Sequence, residues 1–252
     1  MIRGDLMRRL GNGEVVVGAF SPYREVPLAE QIARAFDFIV WDGEHGLIEP
    51  ADTPALSLAC HRAECTPIVR VPSPDDRVIG RFLDLGADGI MAPMIETGDQ
   101  ATDLLAAMQY PPQGRRGVAM TRNLEFGMAD NIPGLLQNSN KDAIAIAQIE
   151  TRRAVENIDA ILGVAEVDIV FIGPADLSLS LGCPLQFQHP DFIAAVVGIV
   201  GKARAAQKHV GILVDSPNQI PALKSLGVRM FACYLDSLLM SAVTEFTAAF
   251  EK

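Results

Sequence analysis

The sequence predicts an α/β fold, a TIM (β/α)8 barrel, because eight short β-branched stretches each precede a helical stretch and no linker interrupts the 252 residues. The predicted strands are 15–20, 38–41, 67–71, 89–94, 143–149, 169–172, 211–214 and 230–234. The predicted helices are 28–35, 54–62, 77–85, 97–109, 153–162, 191–208, 219–226 and 237–250. A doubly wound open sheet is the competing topology. We therefore expect one barrel domain over residues 1–252.

Two segments interrupt this alternation. Residues 110–142 contain several prolines and glycines without sustained periodicity, and residues 173–189 form an irregular stretch after the sixth strand. Loops as long as the first segment are typically lids, binding loops or interface elements in compact domains.

Composition limits the classes of partner. The formal net charge is −10, the pI is about 4.8, and no Lys/Arg-rich run is present, so we expect neither nucleic acid nor a membrane surface as partner. The first residues lack an apolar signal region and no stretch is apolar enough to span a bilayer, which predicts a soluble, cytoplasmic protein. The four cysteines lack paired C-x-x-C spacing and are expected to be reduced thiols: Cys60, Cys65, Cys183 and Cys233.

Polar residues cluster where the predicted strands end. In this fold the catalytic face is built from the carboxyl ends of the strands and the loops that follow them. Strands two, three, five and six of the prediction deliver such residues, namely Asp42, Glu44, His45, Arg70, Gln148, Glu150 and Asp176. Several predicted strands therefore place charged side chains at the same end of the barrel.

Glu150 and Asp176 suggest a metal site. Either residue alone is equally well explained as a solvated edge or a helix cap, but they follow neighbouring parallel strands and can converge. Two close carboxylates are unfavourable unless a cation neutralises them or one stays protonated. Oxygen ligands favour a hard cation such as Mg²⁺ or Mn²⁺, which can polarise the keto group of a 2-keto acid and favour its enolate.

Other residues at this rim suggest how such a substrate is handled. A lone histidine is more often structural, but His45 lies beside Glu44 and near Arg70, where an imidazole can act as a base. Arg70 suits an anion clamp or enolate stabiliser. Gln148 lies on the same strand face as Glu150 and can bind a substrate oxygen.

The sequence lacks the residues that several other reaction mechanisms require. The five lysines precede a strand or lie on helices, so none offers a Schiff base at the mouth. The nucleotide-binding glycine motifs and the G-x-S-x-G elbow are absent from the sequence. Barrel geometry places Asp84 at the end of a helix, on the face opposite the site within one chain.

The sequence resembles the HpcH/HpaI aldolase family, the class II pyruvate aldolases related to the citrate lyase β subunit. The matching segments are D-G-E-H-G, P-I-V-R-V-P, L-D-L-G-A-D-G-I-M-A-P-M, Y-P-P-Q-G-R-R-G-V, A-Q-I-E-T and V-F-I-G-P-A-D-L-S, which follow in order across about residues 17–236. The resemblance implies reversible cleavage of a 4-hydroxy-2-oxo acid to pyruvate or hydroxypyruvate and an aldehyde, with Mg²⁺, Mn²⁺ or Co²⁺ as the cation.

The resemblance also implies residue roles. It makes His45 the general base, Arg70 the enolate stabiliser, and Glu150 and Asp176 the metal ligands. The keto acid would be bound by Gln148 and by the segment Gly173, Pro174, Ala175 and Asp176. Asp84 would raise the basicity of the histidine from a neighbouring subunit, and members form hexamers with an exchanged C-terminal helix, which corresponds to residues 237–250.

Several alternatives stay open. Asp42 is a further candidate at the rim, and Arg122 either binds the distal polar group of the aldehyde or is a solvated loop residue. A CoA-thioester lyase of the citrate or malyl-CoA type is the nearest alternative function, although the acidic chain offers little charge for CoA phosphates. A non-catalytic metabolite-binding subunit is the alternative from another class.

Overall fold

Eight parallel strands close into the predicted barrel. The computed structural model describes residues 3–250, so residues 1, 2, 251 and 252 of the expected domain lie outside the described part. Neighbouring strands pair in sequence order, and β8 returns to pair with β1, which excludes the open sheet. The strands are β1 (Val16–Ser21), β2 (Phe38–Asp42), β3 (Thr66–Arg70), β4 (Gly89–Ala92), β5 (Ile144–Ile149), β6 (Ile169–Ile172), β7 (His209–Leu213) and β8 (Met230–Tyr234).

Strand side chains alternate between two apolar layers. On β2, Phe38 and Val40 belong to the cluster inside the barrel, whereas Ile39 and Trp41 belong to the cluster between strands and helices. Both faces of the strands are therefore buried, which explains why the strand sequences are almost continuously apolar. Burial on both faces fixes the register that brings the strand ends to one level.

Two glycines make room for aromatic rings inside the barrel. A Cβ on Gly18 would lie 2.3 Å from Cε2 of Phe38, and a Cβ on Gly211 would lie 2.4 Å from Cδ2 of Phe171. These approaches are far inside van der Waals contact, so β1 and β7 need glycine opposite each ring.

The helices surround the barrel. They are α1 (Arg3–Gly11), α2 (Val26–Ile32), α3 (Thr53–Arg62), α4 (Asp76–Asp84), α5 (Gly98–Met108), α6 (Ile132–Asp142), α7 (Arg152–Glu156), α8 (Ile158–Leu162), α9 (Pro174–Ser180), α10 (Pro190–Ala205), α11 (Ile220–Leu226) and α12 (Leu235–Ala248). Each predicted helix overlaps an observed one, but the predicted helix 153–162 is two short helices separated at Asn157.

Helix α1 was not predicted, and it closes the amino end of the barrel. Leu6 and Leu10 are buried in the inner cluster, and Arg9 Nη1 donates to Asp37 Oδ1 at 2.5 Å, just before β2. With the amino end covered, the carboxyl end is the open face.

The two irregular segments are more ordered than predicted. Residues 110–142 include a 3-10 turn at Arg122–Gly127 and the eleven-residue helix α6, so the expectation of an extended loop was wrong there. The side chain of Asn131 caps α6 by accepting from Gly134 N at 3.0 Å. In 173–189, α9 begins directly after Gly173.

The predicted fourth strand is shorter than expected. Residues 89–94 were predicted as a strand, but β4 ends at Ala92. Met94 takes a positive φ of 55°, which turns the chain out of the strand.

Two expectations drawn from composition concern thiols and membranes. The four cysteines are free, as predicted, and only Cys233 is not fully buried. Of the helices within residues 3–250, none has the length and apolar character that a bilayer crossing requires.

Candidate active site

A buried ion pair joins the ends of β2 and β3. Arg70 donates from Nε to Asp42 Oδ1 at 3.0 Å and from Nη2 to Oδ2 at 2.7 Å, and both side chains are buried. Burial alone would raise the pKa of Asp42, but the hydrogen bond and charge of Arg70 outweigh it and hold that pKa below its usual value. The two-point contact fixes the plane of the guanidinium group.

The turn after β2 places Glu44 and His45 beside this pair. Asp42 Oδ1 accepts from the backbone N–H of Glu44 at 3.0 Å and of His45 at 3.2 Å. Glu44 Oε2 lies 3.2 Å from Arg70 Nη1 and 3.9 Å from His45 Nε2. The His45 side chain is 65% exposed, so its imidazole is free to meet a ligand.

Glu150 is a buried carboxylate at the end of β5. Its Oε1 accepts from Met94 N at 2.7 Å, and its Oε2 accepts from Gln148 Nε2. Burial raises the pKa of Glu150 to about 7, the hydrogen bond from Met94 opposes this, and the nearby charges of Glu44 and Asp176 add to the rise. Glu150 is therefore poised between its charged and neutral forms near neutral pH.

Gly173 and Asp176 complete the site from β6 and α9. A Cβ on Gly173 would lie 2.6 Å from Glu150 Oε2 and 3.0 Å from Gln148 Nε2, so the absence of a side chain there leaves room for the carboxylate. Asp176 lies in the first turn of α9 and is exposed. Its charge acts on the pKa of Glu150, so the two carboxylates lie near each other.

These residues fit a divalent cation. Glu150 is a buried acid beside other acids, an arrangement whose electrostatic cost a cation relieves. Gln148 Oε1 is buried without a hydrogen-bond partner in the described structure, so the site also contains an unused acceptor. Within residues 3–250, no three or more acidic, histidine or cysteine side chains are grouped so that they could hold a metal ion together. The chain itself would therefore offer a pair of carboxylates, Glu150 and Asp176, and substrate or water oxygens would complete the coordination.

A cavity of about 330 Å³ opens at this end of the barrel. Arg70, Gln148 and the segment 173–176 line one part of it. Another part is lined by side chains from β1, β7, β8 and the segment after α9, namely Phe20, Leu185, Phe187, Leu213, Asp215 and Tyr234. The cavity thus has a carboxylate and amide side and a largely apolar side.

A larger cavity of about 840 Å³ lies elsewhere, beside α5 and α6. It reaches Ala143 and Asp168, which directly precede β5 and β6, and therefore lies toward the amino ends of the strands. Catalytic sites of this fold lie at the opposite end, so size does not identify the active site here.

Two predicted site residues lie away from the cavity in this chain. Asp84 ends α4, and its Oδ1 accepts from Nη2 of the buried Arg116 at 2.5 Å. Arg122 donates from Nη1 to the Pro54 carbonyl oxygen at 3.0 Å. The single chain therefore brings together Asp42, His45, Arg70, Gln148, Glu150 and Asp176, and leaves Asp84 and Arg122 outside the group.

Sequence reasoning missed Met94, Asp215 and Tyr234. Met94 acts through its backbone N–H, which leaves no signature in its residue type. Asp215 and Tyr234 follow or end strands seven and eight, so the rule that selected the other strand ends could also have selected them.

Replacing Gly173 with alanine is expected to destabilise the fold by about 1–3 kcal/mol, because the new Cβ must displace Glu150 or Gln148. Chemical denaturation measures the effect. Gly198→Ala is the matched control, since nothing lies within 4 Å of a Cβ there and the residue is in α10, where alanine is favoured by up to about 1 kcal/mol. Equal stabilities for the two variants would contradict this account.

Several known proteins similar to this chain are named as aldolases. The hydroxypyruvate/pyruvate aldolase of Roseobacter denitrificans is 36% identical over 236 residues, which cover 92% of this chain and 91% of that protein. The pyruvate aldolase of Rhizobium etli is 35% identical over 248 residues, which cover 96% of this chain and 95% of that protein. A crystal structure of an HpcH/HpaI aldolase/citrate lyase family protein from Burkholderia cenocepacia superposes with a TM-score of 0.91 at 31% identity, over 98% of both chains.

Together with the fold and the strand-end site, these relatives define an enzyme, a carbon–carbon lyase of the class II aldolase type. Residues 17–240 match the HpcH/HpaI aldolase/citrate lyase family, and the chain belongs to that family. The family prediction from the sequence motifs is confirmed. Class II aldolases generally use a divalent metal ion.

Proposed function

We propose that the enzyme reversibly cleaves 4-hydroxy-2-oxo acids to pyruvate or hydroxypyruvate and an aldehyde, with Mg²⁺, Mn²⁺ or Co²⁺ held by Glu150 and Asp176. The observation that carries the proposal is that Asp176, Gln148 and Arg70 line one cavity. Glu150 is hydrogen-bonded to Gln148 there and lies close enough to Asp176 for the two charges to interact. The names of the Roseobacter and Rhizobium relatives support the choice of keto acid.

The carboxylate side of the cavity would hold the keto acid half. A bound divalent cation would withdraw electron density from the keto group and so favour enolisation. Gln148 Nε2 donates one of its two hydrogens to Glu150, so the amide keeps a second N–H for a substrate oxygen and, as an acceptor without a partner, Oε1. It suits a hydroxyl group of the substrate or a water molecule, and the backbone around Gly173, Pro174 and Ala175 would contact the substrate carboxylate.

His45 would move the proton and Arg70 would stabilise charge. In the cleavage direction, His45 accepts the proton of the C4 hydroxyl and the C3–C4 bond breaks. The aldehyde departs, and the enolate of the keto acid that remains is then protonated at C3. Arg70 is fixed by Asp42 and lines the cavity, so its guanidinium can stabilise developing negative charge without reorganising. Asp42 is a positioning residue, because it fixes both Arg70 and the turn that holds His45.

A CoA-thioester substrate is less well supported by the site. Arg70 is the only basic side chain among the described residues that line the cavity, and both Asp42 and Glu44 already bind it. The phosphates of CoA would need further cations.

We also propose a homohexamer with an exchanged C-terminal helix. Helix α12 buries none of its described residues and exposes large apolar side chains, namely Leu238, Leu239, Met240, Val243 and Phe246. A second copy that covers this face would account for its composition. In such an assembly Asp84 could serve the histidine of a neighbouring subunit, and light scattering that shows a monomer at micromolar concentration would contradict it.

The pH dependence of metal binding is a further expected result. A metal ligand must be deprotonated, and the pKa of Glu150 is raised to about 7, so metal affinity should fall about tenfold per pH unit below neutrality and level off above it. The raised pKa also means that the metal-free fold loses stability as pH rises from the ordinary carboxyl range to about 7, because the folded state holds the proton longer than the unfolded chain.

Calorimetric titration with Mn²⁺ from about pH 5.5 to 8 measures this dependence. Glu150→Gln is the control, because its amide does not titrate and the dependence on this proton should disappear along with most of the affinity. Wild-type affinity that stays constant below neutrality would contradict the assignment of Glu150.

The proposed function is tested by a reaction panel. Pyruvate and hydroxypyruvate are each combined with a series of aldehydes in the presence of Mg²⁺, Mn²⁺ or Co²⁺, and 4-hydroxy-2-oxo acid products are identified. Citramalyl-CoA and malyl-CoA are included as substrates of the competing lyase. Product formation only from the CoA esters would reject the proposal.

A further inference from the structure

Two polar residues without an assigned role line the cavity on the side of β7 and β8. Asp215 follows β7 by two residues, and Tyr234 is the last residue of β8. Both line the same cavity as Gln148 and Asp176. If the keto acid half lies at β5 and β6, as the proposed function requires, the aldehyde half extends toward Asp215 and Tyr234.

The charge on this side disfavours anions. The Asp215 side chain is exposed at the cavity and, among the described residues, pairs with no basic group. The guanidinium of Arg70, which also lines the cavity, is already bound by Asp42 and Glu44. An aldehyde with a carboxylate of its own would therefore meet Asp215 without a free cation to offset the repulsion.

The remaining wall on this side is apolar. Leu185, Phe187 and Leu213 line the cavity, and the last two also line a neighbouring groove of about 460 Å³ between α10 and α11. The groove is lined further by Phe192 and Val196. An apolar substituent on the aldehyde therefore has a continuous surface to contact.

Tyr234 supplies a single hydrogen-bond donor there. Its side chain lies near enough to Arg70 for that guanidinium to act on its pKa, and its ring packs edge-on against Phe20 with centroids 5.7 Å apart. A guanidinium only donates, so Arg70 cannot accept the Tyr234 O–H proton, which remains available for another acceptor. Burial raises the pKa of Tyr234, which keeps the hydroxyl protonated at neutral pH.

We propose that Asp215 and Tyr234 select the aldehyde, and that this enzyme prefers an uncharged aldehyde with an apolar substituent. Asp215 repels acceptors with a second negative charge. Tyr234 donates a hydrogen bond to the aldehyde oxygen, which becomes the C4 hydroxyl oxygen of the condensed product. The inference rests on the proposed function, because it assumes that a keto acid occupies the β5 and β6 side.

The test compares butanal with succinic semialdehyde, each condensed with pyruvate in the presence of Mn²⁺. The two aldehydes have the same chain length and differ in a terminal methyl or carboxylate group. We expect the wild-type enzyme to favour butanal in kcat/KM. Asp215→Asn should lower this preference about five- to tenfold, the size of the repulsion between two unit charges about 4 Å apart in water, to which the exposed Asp215 is open.

Two further variants complete the test. Asp99→Asn removes the same charge from an exposed position in the first turn of α5, outside the cavity lining, and should leave the preference unchanged. Tyr234→Phe should lower kcat/KM for both aldehydes about three- to tenfold while preserving their ratio. Any of three results would overturn the inference. They are a wild-type preference for succinic semialdehyde, the same ratio of kcat/KM for the two aldehydes in Asp215→Asn and wild type, and full activity of Tyr234→Phe.

A separate measurement distinguishes failure of this inference from failure of the proposed function. Wild-type enzyme with Mn²⁺ and pyruvate alone is incubated in deuterium oxide, and deuterium in the pyruvate methyl group reports enolisation without any aldehyde. Exchange together with the wrong aldehyde preference would reject only the inference. Absence of exchange would reject the proposed function and, with it, the basis of the inference.

Discussion

Asp176→Ala is expected to lower kcat/KM for cleavage about 10³-fold, because in the proposed site Asp176 is one of two anionic metal ligands and its loss removes several kcal/mol of transition-state stabilisation. The variant should also weaken both Mn²⁺ and keto acid binding in calorimetry. The fold should persist, since Asp176 is exposed in the first turn of α9 and caps no buried partner.

Asp191→Ala is the matched control for this prediction. Asp191 is also an exposed aspartate in the first turn of a helix that begins with proline, so the substitution changes charge and helix propensity alike. Near-normal activity should remain. If both variants lost activity equally, a general charge effect rather than metal ligation would explain the result.

His45→Ala is expected to lower the cleavage rate about 10²- to 10⁴-fold while leaving Mn²⁺ affinity largely intact, since in the proposed mechanism the imidazole moves a proton and holds no metal. The side chain is 65% exposed and its loss leaves no cavity in the core. Single-turnover kinetics and calorimetry on the same preparation separate the two effects.

Two further variants test this prediction more specifically: His45→Gln and, as a control, His189→Gln. Glutamine at position 45 keeps hydrogen-bonding capacity without a titratable proton, so this variant should be as slow as His45→Ala. His189 caps α10, where its Nδ1 accepts from Asp191 N at 3.2 Å, and its described partner is Asp191 and not Glu44, so His189→Gln should stay active. Near-normal turnover of His45→Gln would remove His45 from the proposed mechanism.

The barrel was predictable because its strands are short, apolar and regularly followed by helical stretches. Its exceptions have physical reasons. Helix α6 buries none of its residues, so the apolar periodicity that signals a helix is missing from I-P-G-L-L-Q-N-S-N-K-D. The strand 89–94 was predicted too long because M-A-P-M is apolar, although Met94 adopts a turn conformation.

The acidic part of the site was predictable from strand ends alone, because neighbouring parallel strands bring their carboxyl ends together. Other features depend on contacts between distant segments. Asp84 is paired with Arg116, which is 32 positions further along the chain, and no local pattern indicates that pair. The cost of a side chain at Gly173 likewise appears only when β5 and β6 are adjacent.

The structure also explains why Arg70 and Asp42 are expected to be intolerant of change. Removing either partner would leave the other as a buried, unpaired charge, which typically costs about 3–5 kcal/mol. The same pair fixes the guanidinium at the cavity and the turn that holds His45. Stability and the proposed catalytic geometry therefore depend on one contact.

The most direct test of the account is deuterium exchange into the methyl group of pyruvate by enzyme stripped with a chelator. If Glu150 and Asp176 hold the cation, stripped enzyme should not catalyse exchange, and added Mg²⁺, Mn²⁺ or Co²⁺ should restore it. Asp176→Ala should respond only at much higher metal concentration. Full exchange by a sample shown by elemental analysis to be free of metal would contradict the claim that Glu150 and Asp176 hold the cation that supports enolisation.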